Sequence, residues 1–213
     1  EPFTDRPTGD LVELLQHEDM RVRQKAQFHL VDRDAVNELR QVARDSQHQL
    51  ARIHAMWGIG QLARREIGQA QPLVNLLQDG DGEIRAQAAR LLGDVRYSRA
   101  AGALVELLSD AEPRARFFAA EALGRIGHQP AVQAIVRMLE ENDGEDVYLR
   151  QAGATALARI GDADALAALS DHPSRAVRIA AVVALRRMKD PAVGRFVADA
   201  DEYVVTEAAR AIN

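Results

Sequence analysis

The sequence predicts an all-α fold, a right-handed α-solenoid of about seven helical-hairpin repeats, and three observations carry that expectation. Ala supplies 38 of the 213 residues while aromatic side chains make up only 4%; Ala is the best helix former, whereas a sheet protein draws on Val, Ile, Thr and aromatic residues. A short pattern of an apolar residue, Arg and, three positions on, a small residue recurs along the chain. Apolar residues then follow each copy at offsets of three and four, which traces one face of a helix.

The copies are Val22-Arg23 with Ala26, Ala51-Arg52 with Ala55, Ile84-Arg85 with Ala88 and Ala115-Arg116 with Ala119. Leu149-Arg150 with Gly153, Val177-Arg178 with Ala181 and Val205-Thr206 with Ala209 complete the series. Successive anchors lie 29, 33, 31, 34, 28 and 28 residues apart, a period that marks a repeat array. With the anchor as position zero, positions -1, +3, +7 and +10 form the apolar stripe of a longer helix. A shorter apolar helix precedes most of these, over 11–15, 36–42, 73–77, 104–108, 132–139 and 165–169. The segments between, such as 78–82 and 109–113, are rich in turn residues. Gly127 and Gly161 follow their apolar periods and read as helix C-caps.

Neither helix of such a pair can bury its stripe alone, so the copies stack on one another. The expectation is a single repeat domain over 1–213, with 1–9 as an N-terminal extension. In the last copy Thr206 replaces the anchor Arg and the period ends at Asn213, which fits either a solvent-facing cap or a boundary through a longer array. The chain opens at Glu1 rather than Met, as a processed product or a domain cut from a longer protein would.

Arg23, Arg52, Arg85, Arg116, Arg150 and Arg178 read as structural arginines. Asp19, Asp81 and Asp146 stand four residues before their anchors, and Asp45, Asp171 and Asp199 stand seven before theirs. A carboxylate in the turn and a guanidinium at the start of the next helix can bridge adjacent repeats or hold turn carbonyls.

Chemistry is hard to find. The absence of Cys excludes disulfides, thiolate zinc sites, haem attachment through CxxCH and cysteine catalysis. No window approaches the 18 to 20 apolar residues of a membrane span, and no signal peptide is evident. The six His form neither an HxxxH nor an HExxH pair, and the acidic run Asp79-Gly80-Asp81-Gly82-Glu83 has Ile84 where a calcium loop needs Gly. The carboxylates between Glu140 and Asp146 read as a solvated loop with no facing acid/base partner. Ser98, Ser109, Ser170 and Ser174 lack a nucleophile-elbow context, and the glycines form no phosphate loop. The expectation is therefore a segment with no catalytic residue, metal or cofactor.

What remains is the surface of the longer helices at +2, +5 and +9. In the first four copies this face mixes aromatic and polar residues, and Phe28, His54, Trp57, Gln61, Arg90, Phe118 and Glu121 are the candidate interface. Trp57, Phe28 and Phe118 could equally fill gaps between stacked helices. The partner implied is a protein or a flanking domain of the same polypeptide. Arg90, Arg125, Arg159 and Arg187 could instead line a basic groove for a nucleic-acid backbone, but the net charge of -5 argues against it.

The two-helix unit with an apolar-Arg pair opening its second helix resembles HEAT repeats, especially the short bacterial HEAT-like kind also found in phycobilisome-lyase-type proteins. The run from Ala115-Arg116-Phe117-Phe118-Ala119 to Gly127 matches best. A narrower resemblance rests on the segments 22–28, 54–62 and 201–213. These look like the HEAT region of large exported bacterial proteins that join a sugar-dehydrogenase-like β-propeller to a C-terminal c-type haem domain. That resemblance implies a structural spacer in a haem-dependent electron-transfer protein, periplasmic or extracellular, whose catalytic residues and haem ligands lie outside this chain.

The phase of the repeat is directly testable. Leu123 occupies the +7 position shared with Leu30, Ile59, Leu92, Leu157 and Leu185, so Leu123→Ala should lower the unfolding free energy by about 2 to 5 kcal/mol. Denaturant unfolding reads this, and a loss below about 0.5 kcal/mol would mean that the repeat is misphased.

Overall fold

The computed structural model describes residues 2–212, leaving Glu1 and the expected end of the last period at Asn213 outside the described residues. Its elements are helical throughout: α1 (Thr8–Glu13), α2 (Met20–Asp32), α3 (Val36–Asp45), α4 (Gln49–Arg65), α5 (Gln71–Asn75), α6 (Gly82–Asp94) and α7 (Ala101–Glu106). They continue as α8 (Pro113–Ile126), α9 (Val132–Asn142), α10 (Val147–Ile160), α11 (Ala163–Ala167), α12 (Arg175–Met188) and α13 (Glu202–Ile212). The short first leg of the last hairpin is a 3-10 segment, Pro191–Phe196.

Backbone contacts gather these elements into two compact units, residues 1–97 and 98–213. In the first, the long helices α2, α4 and α6 pack in succession, with α1, α3 and α5 each against the long helix that follows it. In the second, α8, α10, α12 and α13 succeed one another, backed by α7, α9 and α11. The +7 residues are the centre of both cores: Leu30, Ile59, Leu92, Leu123, Leu157 and Leu185 are all at most 1% exposed. The +10 position is buried only at Leu62, because α4 is 17 residues long and the other long helices end sooner. Where long helices meet most closely, Gly124 of α8 lies so near α10 that a Cβ there would stand 2.7 Å from the Cα of Ala156.

Each anchor Arg is the fourth residue of its helix, and its turn is built to one plan. Four residues earlier stands the N-cap, whose side chain accepts a backbone N–H at the helix start: Asp19, His48, Asp81, Asp146 and Ser174 do so. Unpaired N–H groups at a helix start need such acceptors. Asp19, Asp81 and Asp146 therefore cap helices, correcting their expected role as partners of the following Arg. Two residues before most caps, a second side chain accepts the cap's own N–H: His17, Ser46, Asp79, Asp110, His172 and Asp199. The guanidinium closes the turn from the other side. Nη1 of Arg23 donates to the carbonyls of His17 and Glu18, that of Arg85 to Asp79, and that of Arg178 to His172 and Pro173.

Two anchors also reach the next hairpin, where Arg52 pairs with Asp79 and Arg178 with Asp199 at 2.7 Å. Both carboxylates sit six residues before the anchor position of their own repeat, provided the last anchor is Val205. Burial places it there: Val204 and Ala208 are fully buried, whereas Thr206 and Ala209 are exposed. The expected anchor Thr206 is thus one residue late. Asp45 pairs with its neighbour Arg44 rather than with an anchor. Arg116 and Arg150 take the same helical position as the others, and Arg116 buries its Nε without a hydrogen-bond partner.

The helix ends obey a second rule. At +11 the backbone is left-handed in five copies, at Asp34, Arg96, Gly127, Gly161 and Lys189. In four of these the next N–H returns to the carbonyl of the +7 Leu, from Ala35, Tyr97, His128 and Asp190. This closure satisfies carbonyls that the helix leaves open. Only Gly adopts the conformation without strain, so the sequence shows two of the five ends.

Substitutions at +11 should therefore change stability in opposite directions. Lys189→Gly is expected to stabilise by about 0.5 to 1 kcal/mol, and Gly127→Ala, which meets open space but keeps φ at 74°, to destabilise by about 1 kcal/mol. Thermal unfolding of the two variants checks both signs.

Candidate functional site

The candidate residues of the first unit converge on the layer of long helices. His54 lies on α4, 3% exposed, with Nδ1 2.8 Å from Oε1 of Gln27 on α2. Its ring meets the edge of Trp57 at 4.9 Å between centroids. Half-buried Trp57 donates Nε1–H to Oε1 of Gln87 on α6 at 3.0 Å, and Gln87 donates in turn to Glu83 at 2.7 Å. A polar thread thus runs across three successive helices through otherwise apolar packing. Gln27 and Gln87 are themselves buried, and a buried amide left without a partner is costly. The placement of His54 on an open face is corrected: it is a core residue that joins neighbouring repeats.

Burial and the nearby Arg23 charge lower the His54 pKa from 6.5 to about 4. The ring is neutral at pH 7. With Gln27 Oε1 as acceptor, Nδ1 carries the proton.

The other candidates differ among themselves. Phe28 is 43% exposed and lines a shallow cleft of about 480 Å³ with Val31, Asp32, Gln61, Arg64 and Arg65. Arg90 is exposed, with Nε 4.0 Å from Asp94. In the second unit Glu121 is a strut rather than an open acceptor, holding Arg125 at 3.4 Å and Arg159 of α10 at 2.9 Å. Phe118 packs edge-on against Phe117 at 5.1 Å, under the guanidinium of Arg114. Together with Pro113, Asp146 and Tyr148, these three line a cleft of about 360 Å³.

Tyr148 is 73% exposed and its neighbour Val147 52%, and neither was among the candidates read from the sequence. A signal was present: they are the first two residues of α10, and the stripe begins only at Leu149. Apolar side chains placed there have no core to enter.

Among the described residues no group of three or more His, Asp and Glu side chains could hold a metal ion. No described helix is long and apolar enough to cross a membrane.

The HEAT-repeat family matches residues 70–147 and 107–172. The two matches together span residues 70–172. Solved structures of similar fold cover most or all of the chain. A chain of the complex of CpcE and CpcF of phycocyanin lyase from Nostoc superposes with a TM-score of 0.58 at 20% identity, covering 100% of this chain and 88% of its own. The archaeal HEAT-like repeats protein from Thermococcus onnurineus gives 0.57 at 15%, covering 83% and 78%. An engineered protein gives 0.56 at 21%, covering 96% and 94%. At such identities the likeness is one of fold. No curated protein is significantly similar in sequence.

The buried imidazole makes stability depend on pH with a definite sign. The folded pKa is lowered, so between about 6.5 and 4 the unfolded chain binds the extra proton and gains in population. Stability from this group is complete above about pH 6.5 and lost as the pH falls toward about 4. Denaturant unfolding at pH 7 and pH 5 should show a smaller loss in His54→Gln than in the parent. Equal losses would remove His54 as a contributor.

Proposed function

We propose that this chain is a noncatalytic HEAT-like scaffold that mediates protein-protein or domain-domain interaction, its seven hairpins acting as one domain over 1–213 with 1–9 as an extension. The observation that supports this best is the division of labour among its side chains. The recurring polar residues are spent on caps, turns and links between helices, while aromatic residues with no such task, Phe28 and Tyr148, stand open on the helix surface. Exposed aromatic and Arg side chains of this kind are typical interface anchors. Among proteins of similar fold, CpcE and CpcF form a complex with one another.

The resemblance to exported propeller, HEAT and cytochrome proteins adds a finer proposal, in which the partners are flanking domains and the site of action is outside the cytoplasm. Sequencing the intact gene on both sides tests it. The nucleic-acid reading has less support, since Arg125 and Arg159 share the Glu121 carboxylate and Arg187 donates to Thr155 at 2.5 Å.

Cross-linking mass spectrometry on cells producing the intact protein should recover a partner or flanking domain joined to the long-helix surface. A substitution such as Phe28→Ser should weaken that association, by roughly 2 kcal/mol if Phe28 is a central anchor, with thermal unfolding unchanged. Turnover of a substrate by the monodisperse chain, abolished by one surface substitution, would overturn the scaffold reading.

A further inference from the structure

We propose that the aromatic cleft at the starts of α8 and α10 is a docking site for a peptide segment carrying Lys or Arg beside an apolar residue. The proposal rests on the scaffold reading and adds to it a place and a partner chemistry. The cleft combines Pro113, Phe117, Phe118 and Tyr148 as its apolar surface. The most exposed of its aromatic rings is Tyr148, with Val147 beside it in sequence. An open aromatic ring lining a concavity, with an open aliphatic residue next to it in sequence, offers apolar area that the fold itself does not use.

Charge decides the kind of occupant. Glu112 immediately precedes the cleft residue Pro113, and Asp143 and Glu145 lie in the turn that leads to Asp146, another lining residue. Glu112, Asp143 and Glu145 are exposed, and among the described residues no cation pairs with their carboxylates. Glu112 does not spend its carboxylate on capping α8, unlike the Asp and Ser caps of other long helices. Asp146 directs its carboxylate to the N–H groups of Tyr148 and Leu149. The cleft is thus an aromatic surface with an acidic margin.

Both parts of that surface attract a cation. A carboxylate does so by charge, and an aromatic face does so through its quadrupole. The cleft already shows the second interaction, with the Arg114 Cζ 5.1 Å from the Phe118 ring centre. Against Arg114, and Arg150 whose Nη1 lies beside Gly144, stand the four carboxylates of Glu112, Asp143, Glu145 and Asp146, so the margin is net acidic. A partner's Lys or Arg can lie against Tyr148 and the margin while its apolar neighbour enters the cleft. An acidic segment would be repelled by the net negative charge of that margin.

The test uses the full chain and two fluorescein-labelled octapeptides read by anisotropy, one alternating Lys with Leu and Phe, the other with Glu in place of every Lys. The basic peptide should bind at least about tenfold tighter than its acidic twin. Tyr148→Ser, and separately Glu112→Lys with Glu145→Lys, should each weaken it by about tenfold or more. These positions are exposed, so circular dichroism should show unchanged folding. Glu13→Lys with Glu38→Lys in the first unit carries the same charge change far from the cleft in sequence, and should alter binding less than about twofold. Equal binding of the two peptides, an equal loss in that first-unit double variant, or no binding of the basic peptide would overturn the site. Binding that survives Tyr148→Ser, with amide resonance shifts confined to α2 and α4, would overturn this site and leave the scaffold reading standing. The scaffold reading falls separately, by turnover.

Discussion

A hairpin of two short helices cannot enclose its own apolar stripe, and everything else in this protein follows from that constraint. The +7 residues of the first six long helices are buried against their short helices and the long helices packed beside them, whereas Ile212 in the last copy is exposed. Stability in such an array is close to a sum of repeat and interface terms, so a lesion in one copy is felt first by the copies beside it. The Ala-rich composition serves the same end. Small side chains let long helices approach closely, as at Gly124 and Ala156.

Stacking also explains where the polar residues went. Each turn between helices exposes N–H and carbonyl groups at two helix ends, and these must be met within a few residues. The chain does so with a cap, a second acceptor two residues earlier and a guanidinium from the fourth helical residue. Where the guanidinium has reach to spare, it binds a carboxylate of the following hairpin, and the Arg178–Asp199 pair is largely shielded from water. Such a shielded pair contributes geometry more surely than net stability. In the first unit the thread from Gln27 through His54 and Trp57 to Gln87 performs a similar linking role inside the layer of long helices. The open aromatic side chains of Phe28 and Tyr148 have no part in these devices.

The repeat was legible because its signals are local and periodic. Arg23, Arg52, Arg85, Arg116, Arg150 and Arg178 stand at one helical position, and the short helices fall where the apolar runs place them. The last anchor slipped by one residue because Val204 and Val205 are both plausible stripe residues, and only packing separates them. The sites were less legible. His54 shares a helical face with exposed positions, yet its contact is with Gln27, 27 residues earlier. Glu121 likewise meets Arg159, 38 residues on.

Sequence by itself determined the all-helical class, the hairpin period, the shared position of the recurring arginines and the buried Leu or Ile at the centre of the first six copies, since these depend on propensity and on offsets within one helix. Tertiary structure decided which Asp caps a helix and which binds an Arg, that Lys189 and Arg96 end helices in the conformation usual for Gly, and that His54 is buried while Tyr148 is open. Those outcomes depend on which surface the neighbouring hairpin covers, and a helix alone presents all its faces alike.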